Sequence, residues 1–223
     1  MRSLTLPSKK LATIAGLALL AVPLAACSQE SDAAPASSSQ SQSAPKPVAS
    51  IDALSGDSTA VKLDQGFVDA LTQLKLTPGV VGDAKLTDGS LVFPITGGNV
   101  TVFKPGEVSP YVIGQLQHEN SGLSLTAGKT TVELTNLNVD PGVSRVYGDV
   151  TVNGKTAVTS AYLFSLDGRT LEPLAAQGDT AVLEGTKVAI SPVAAPLLNQ
   201  TFKTDAVKPG LLVGIAKITV NTK

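Results

Sequence analysis

Apolar and polar residues alternate one by one along most of the chain after residue 90, and this period of two is the feature that most restricts its fold. The pattern is clearest in TTVELTNLNV at 130–139, AVTSAYLFSL at 157–166 and LVGIAKITV at 212–220. Successive side chains of a strand point to opposite faces of a sheet, so the alternation indicates strands with one buried face. The other segments with this pattern are 90–96, 99–103, 111–118, 122–126, 146–152 and 180–190.

Turn-forming residues separate these segments. Asn153-Gly154 and Asp167-Gly168 are the dipeptides most typical of tight hairpins, and Gly97-Gly98 and Asp140-Pro141-Gly142 also favour turns. The aromatic content is low, at 4%, and there is no tryptophan. Short strands closed by turns are therefore expected over most of the chain.

Two stretches have helical spacing instead. Asp64 is placed to cap a short helix that ends before Pro78, and Ser191-Pro192 is a typical opening for a second helix from 193 to about 202. Strands at short intervals with only two short helices exclude a parallel α/β fold. The sequence predicts a mainly β fold, an antiparallel β-sandwich or barrel-like sheet pair with two short helices.

The first 26 residues have the pattern of a signal peptide. Three basic residues precede an apolar run from Leu11 to about Leu24, which is shorter than the roughly 18 to 20 residues of a spanning helix. The run leads into Leu24-Ala25-Ala26-Cys27, which resembles the lipobox of bacterial lipoproteins. The resemblance implies cleavage before Cys27 and a diacylglycerol on its sulfur. We expect the chain to be anchored by lipid on the extracytoplasmic face of the cell membrane.

Residues 27–50 are rich in Ser, Ala, Gln and Pro and predict a flexible linker, which leaves 51–223 as a single β-rich extracytoplasmic domain. Cys27 is the only cysteine, so a disulfide within the chain is excluded. Removal of three basic residues with the signal peptide leaves 14 basic against 18 acidic residues, a net charge of about −4. Such a domain is a poor binder of nucleic acid.

No catalytic motif stands out. His118 is the only histidine, so a two-histidine metal site is impossible, and there is no Gly-x-Ser-x-Gly nucleophile motif. The carboxylates are scattered among turns and strands. His118 falls at the end of a strand, on the same face as Val112 and Leu116, where a histidine serves either as a structural residue or as a ligand-binding one.

Seven segments follow one another in the order GFVDALTQL, LVFPITGG, GQLQHENSGLSL, VELTNLNVD, GDVTVNG, AVLEGTKVAISPVAAPLLNQTF and VGIAKITV. This order resembles the HtaA-type domains that actinobacteria display at their surface for haem binding. The resemblance implies a β-rich fold and, in that family, haem iron held by a tyrosine near the opening helix with a histidine on a later strand in support. His118 falls at the histidine position, whereas no residue from 51 to 110 is a tyrosine.

We therefore expect a non-enzymatic module that binds a small ligand or an envelope partner while attached to the membrane through Cys27. Phe67, Tyr111 and His118 are the candidate ligand-binding residues, and no metal or cofactor is predicted. A haem- or porphyrin-binding lipoprotein that uses His118 is the first alternative. An envelope hydrolase is the second, because a pair of carboxylates across a cleft has no fixed sequence spacing.

Overall fold

An antiparallel sheet of thirteen strands dominates the computed structural model, which describes residues 44–223. The predicted signal peptide, Cys27 and the linker up to residue 43 lie outside the described residues. The strands are β1 Ala49–Ile51, β2 Asp57–Leu63, β3 Thr77–Gly82, β4 Lys85–Thr87, β5 Ser90–Pro94, β6 Gly97–Val102, β7 Val112–Ala127, β8 Thr130–Asp140, β9 Arg145–Val152, β10 Lys155–Asp167, β11 Ala175–Gln177, β12 Thr180–Ile190 and β13 Leu212–Asn221.

Two α-helices, α1 Gln65–Gln73 and α2 Ala194–Phe202, begin where the sequence predicts them. The Asp64 carboxylate accepts a hydrogen bond from the Gly66 amide at 2.9 Å. The Ser191 hydroxyl accepts from the amides of Val193 and Ala194 at the start of α2. Each cap satisfies amide groups that have no partner inside the helix.

The sheet curls into a half-barrel. Adjacent strands follow the order β1-β6-β7-β8-β9-β10-β12-β13-β2-β5-β4. In addition, β3 pairs with β7 and β11 pairs with β12. The C-terminal strand β13 is thus inserted between β12 and the early strand β2. The chain passes directly from β5 to β6, where the Thr96 amide donates to the Gln117 carbonyl of β7 at 2.8 Å, so the two ends of the sheet approach each other.

A line of three irregularities crosses neighbouring strands on the β7 to β10 side. The pairing register shifts between 118 and 122, between 135 and 138, and between 158 and 161. Asn120, Asn136 and Ser160 each have a φ of +51° at these points. Asn136 accepts from the Asn120 amide and donates to Asp149, which also accepts from the Ser160 amide. Bulges increase the local twist of a sheet, so this line helps to bend it into a half-barrel.

The mainly β, antiparallel architecture with two short helices is confirmed. All nine alternating segments lie in strands, although 111–118 and 122–126 belong to the single long strand β7. The predicted tight hairpin at Asp167-Gly168 is wrong. A 3₁₀-helix at Gly168–Thr170 and the short β11 follow instead, because the Asp167 carboxylate caps the turn by accepting from the Arg169 amide at 3.0 Å. No helix in the described part of the chain is long and apolar enough to cross a membrane.

Candidate functional site

The concave side of the curled sheet surrounds a cavity of about 860 Å³. Its walls are mostly apolar, and both halves of the sheet contribute side chains. This volume falls within the range of small-molecule binding sites in proteins, which are also mostly apolar with a few polar groups. Representative wall residues are Val61, Leu91, Leu116, Val139, Val188 and Ala216.

His118 and Thr59 form the buried polar pair of this cavity. Their exposed fractions are 1% and 5%. The Leu137 carbonyl lies 3.2 Å from His118 Nδ1 and can only accept, so Nδ1 carries the hydrogen in the neutral ring. His118 Nε2 then accepts from the Thr59 hydroxyl at 2.8 Å. The Phe93 ring contacts the imidazole edge to face, with centroids 6.2 Å apart.

Burial lowers the pKa of His118 to about 4, because the apolar surroundings disfavour the charged ring. The imidazole is therefore neutral at physiological pH. The contact between His118 of β7 and Thr59 of β2 also joins two strands that are not neighbours in the sheet. It is a direct polar link across the inside of the half-barrel.

Charged groups lie at the exposed rim of the cavity. The Arg169 guanidinium donates to both oxygens of Asp167, at 2.9 and 2.7 Å. These hydrogen bonds hold the pKa of the Asp167 carboxyl well below its usual range. Arg169 is almost fully exposed, and both residues line the cavity.

The segment from Gly168 to Leu174 covers part of this rim. Leu171 and Leu174 line the cavity, and the Thr170 hydroxyl donates to the Gly185 carbonyl at 2.6 Å. Gly185 has a φ of +107°, and a Cβ at this position would lie 2.2 Å from the Thr170 carbonyl oxygen. Only a glycine lets the segment pack this closely on β12.

The predicted ligand-binding residues occupy three different places. His118 lies deep in the cavity, and Tyr111 lines it just before β7 begins. They are seven positions apart along the chain, roughly 20 Å in an extended strand. Phe67 is buried in the core on α1 and is not among the residues that line the cavity. The side chain that hydrogen-bonds to His118 is that of Thr59, which gives no signal in the sequence because threonine is common in strands.

The site has few groups suited to catalysis. The Ser121 hydroxyl donates to the His118 carbonyl rather than to the ring, and both ring nitrogens already have partners. Among residues 44–223, no group of three His, Cys, Asp or Glu side chains is placed to hold a metal ion. The arrangement is suited to holding an apolar molecule.

The fold is similar to solved structures of two domains of HtaA from Corynebacterium glutamicum. The C-terminal domain superposes with a TM-score of 0.52 at 12% identity, over 76% of this chain and 98% of that domain. The N-terminal domain superposes with a TM-score of 0.50 at 13% identity, again over 76% and 98%. No protein-family model and no curated protein matches the sequence. These similarities support the HtaA-type resemblance at the level of the fold.

Proposed function

We propose that this chain is a lipid-anchored extracytoplasmic module that binds an apolar or amphiphilic small molecule inside its curled sheet, without catalysing a reaction. The observation that carries this proposal is the cavity of about 860 Å³. Its apolar walls favour an apolar body, whereas Asp167 and Arg169 at the rim favour a polar end that remains near water. The lipobox-like sequence at Cys27 supports the membrane location.

A non-enzymatic role is supported by the state of the buried polar pair. A general base needs a free lone pair and a pKa close to the pH at which it works. In His118 the Nε2 lone pair already accepts from Thr59, and the ring pKa is about 4. Thr59 is likewise a poor nucleophile, because a neutral histidine with such a low pKa withdraws its proton only weakly.

Filling the cavity should test the proposal. The fluorescent apolar probe N-phenyl-1-naphthylamine should bind the fragment 44–223 saturably, and the variant Ala216→Phe should weaken that binding at least about tenfold, since an aromatic ring would occupy the cavity. Ala175→Phe, on the exposed strand β11, is the matched control and should bind as the parent does. Unchanged binding in a folded Ala216→Phe variant would refute the proposal.

Haem is the second candidate ligand, and one observation favours it. The Leu137 carbonyl fixes the hydrogen on Nδ1 of His118 and leaves Nε2 as the lone-pair nitrogen, which is the arrangement of many metal-binding histidines. The described residues do not fit a tyrosine-bound haem. Tyr111 lies toward the other end of the cavity, and Tyr147 and Tyr162 are not among its lining residues.

We therefore expect haem to bind only weakly, through His118 after displacement of Thr59. A haemin titration of the fragment 44–223, followed at the Soret band, distinguishes the candidates. Saturable submicromolar binding of haemin that is lost in His118→Ala would favour haem, and not another apolar molecule, as the ligand of the cavity. The expected result is weak binding that Thr59→Ala strengthens, because Nε2 would lose its present hydrogen-bond donor.

A further inference from the structure

The convex face of the sheet carries a row of polar and aromatic side chains across four neighbouring strands. Gln117 of β7 pairs with Asn138 of β8, Asn138 with Tyr147 of β9, and Tyr147 with Tyr162 of β10. All four are half-buried, whereas the residues beside them along each strand are mostly buried on the cavity side. Three strand spacings of about 4.8 Å give a row about 14 Å long.

One end of the row is an aromatic pair held by Arg145. The ring centroids of Tyr147 and Tyr162 are 6.0 Å apart. The guanidinium carbon of Arg145 lies 4.6 Å from the Tyr162 centroid, and Nη1 donates to the Tyr147 hydroxyl at 3.4 Å. Within residues 44–223 no carboxylate lies within 4.0 Å of this guanidinium. Its remaining N–H donors are oriented by the two rings and available to a ligand.

The other end of the row borders a second, shallow pocket of about 520 Å³, with walls that are both polar and apolar. Gln117, Glu119, Asn136 and Asn138 contribute to these walls. Asn138 Oδ1 is buried and has no hydrogen-bond partner in the described part of the chain. A buried acceptor without a hydrogen-bond donor lowers the stability of the fold. A donor supplied by a bound molecule would remove this cost.

This combination matches the chemistry of a sugar chain. A sugar ring has an apolar C–H face that packs on an aromatic ring, and hydroxyls at its edges that both donate to amide oxygens and accept from amide and guanidinium N–H groups. The row is about as long as a trisaccharide. None of the large exposed aliphatic side chains belongs to the row, and Ile113 is the one on the same face of β7, four positions from Gln117. An apolar protein partner is therefore a poorer match for this face.

We infer that the convex face binds a carbohydrate chain along Gln117, Asn138, Tyr147 and Arg145. The row faces away from the cavity, although His118 and Leu137 line both the cavity and the second pocket. In this arrangement the half-buried Asn138 side chain turns outward, so that a sugar hydroxyl donates to the Oδ1 that is otherwise buried without a partner. A sugar ring packs beside Tyr147, and Arg145 donates to its oxygens.

The test uses the full chain, purified in detergent, with four soluble probes: the trimers of N-acetylglucosamine, glucose, mannose and galacturonic acid. Calorimetric titration should give saturable binding of at least one of them. Tyrosine fluorescence should change with the same midpoint, because the chain has no tryptophan and two of its three tyrosines lie in the row.

Asn138→Ala should weaken this binding at least tenfold while leaving the melting temperature unchanged or higher, since the unpaired buried oxygen is removed. Tyr147→Leu should weaken it similarly, and Tyr111→Phe, in the cavity, should not. The inference is overturned if none of the four trimers binds, or if a bound trimer keeps its affinity in both Asn138→Ala and Tyr147→Leu. If the protein binds a trimer but does not bind N-phenyl-1-naphthylamine, only the proposed function of the cavity is overturned.

Discussion

His118 illustrates how one backbone carbonyl defines the chemistry of a buried side chain. The Leu137 carbonyl fixes the hydrogen on Nδ1, so the other nitrogen is an acceptor and Thr59 becomes the donor. The neutral ring satisfies both partners without a buried charge. Protonation would place a hydrogen on Nε2, which the Thr59 oxygen could still accept, but the charge would remain in apolar surroundings.

This burial predicts a loss of stability in acid. The pKa of His118 is lowered from 6.5 to about 4 in the folded protein, so the unfolded chain binds the proton more readily. The contribution of His118 to the free energy of unfolding should be fully present above pH 6.5 and should decrease as the pH drops toward 4. The slope is about 1.4 kcal/mol per pH unit, which gives a total loss of about 3 kcal/mol. Urea denaturation across this range measures the change.

His118→Gln is the matched variant for that measurement, because glutamine keeps polar atoms near Thr59 but does not titrate. His118 is the only histidine of the chain, so the variant should lose most of the pH dependence between 6.5 and 4. An identical pH profile in the two proteins would show that carboxyl groups, and not His118, cause the loss.

Sequence reasoning at this scale named two of the residues that line the cavity. It singled out His118 and Tyr111, since a lone histidine and a tyrosine on an apolar strand are conspicuous. It could not find Thr59, which becomes important only because β2 lies opposite β7 in the curled sheet. It also could not find the convex row, because that row is created by register between four strands and not by spacing along any one of them.

At the scale of elements, the line of bulges across β7, β8 and β10 bends the sheet around the cavity. Asn136 is its central residue, with a left-handed φ of +51° and side-chain hydrogen bonds to the Asn120 amide and Asp149. The hydrogen bond from Asn136 also lowers the pKa of Asp149. Asparagine is well suited to such a position because its short polar side chain tolerates this backbone conformation.

Replacing Asn136 should separate the contribution of its backbone conformation to stability from that of its side-chain hydrogen bonds. Asn136→Ala should lower the free energy of unfolding by about 2 kcal/mol, since alanine is strained at positive φ and both hydrogen bonds are lost. Asn136→Gly loses the same hydrogen bonds but accepts the conformation, so it should cost about 1 kcal/mol less than alanine. Urea unfolding measures both. Equal losses in the two variants would mean that the backbone conformation carries no strain.

The elements that the sequence did not predict share a physical reason. The edge strand β3 contains Pro78 and Gly79, which argue against a strand when no partner is known. The short strands β4 and β11 are exposed along their whole length and so have no apolar side to reveal them. The strands β1 and β2 were not predicted either, although β2 buries Thr59 and Val61 on one side. The nine alternating segments after residue 90 were predicted, because burial of one side produces the alternation.

At the scale of the whole molecule, the described fold has a core of strand-borne aliphatic residues and contains no cysteine. The fragment 44–223 should therefore unfold cooperatively, and identically with and without a reducing agent. The fragment 52–223 lacks β1, whose Ala49 and Ile51 pair with β6 and line the cavity, and it should be less stable. A fragment 44–223 with no cooperative thermal transition would contradict the proposed independence of the domain.

The proposed anchor makes a separate prediction. Replacing Cys27 by Ser removes the sulfur that would carry the diacylglycerol, so the variant should take up no label from a palmitate analogue and should leave the membrane fraction. A diacyl anchor is strong because each buried methylene contributes about 0.8 kcal/mol. Cys27→Ala should behave in the same way. Uptake of label by the Cys27→Ser protein would show that the lipobox interpretation is wrong.

The position of β13 determines when the protein can finish folding. This strand, Leu212–Asn221, follows the other strands of the described sheet and links β12 to β2, so the half-barrel stays incomplete until residues 212–221 are in place. Contacts between such distant parts of a chain form slowly, because a long loop must close before they contribute. If the chain is exported with its N-terminus first, as the proposed signal peptide implies, the half-barrel would remain open until residues 212–221 have crossed the membrane. The topology that builds the cavity would then also delay its closure until after that crossing.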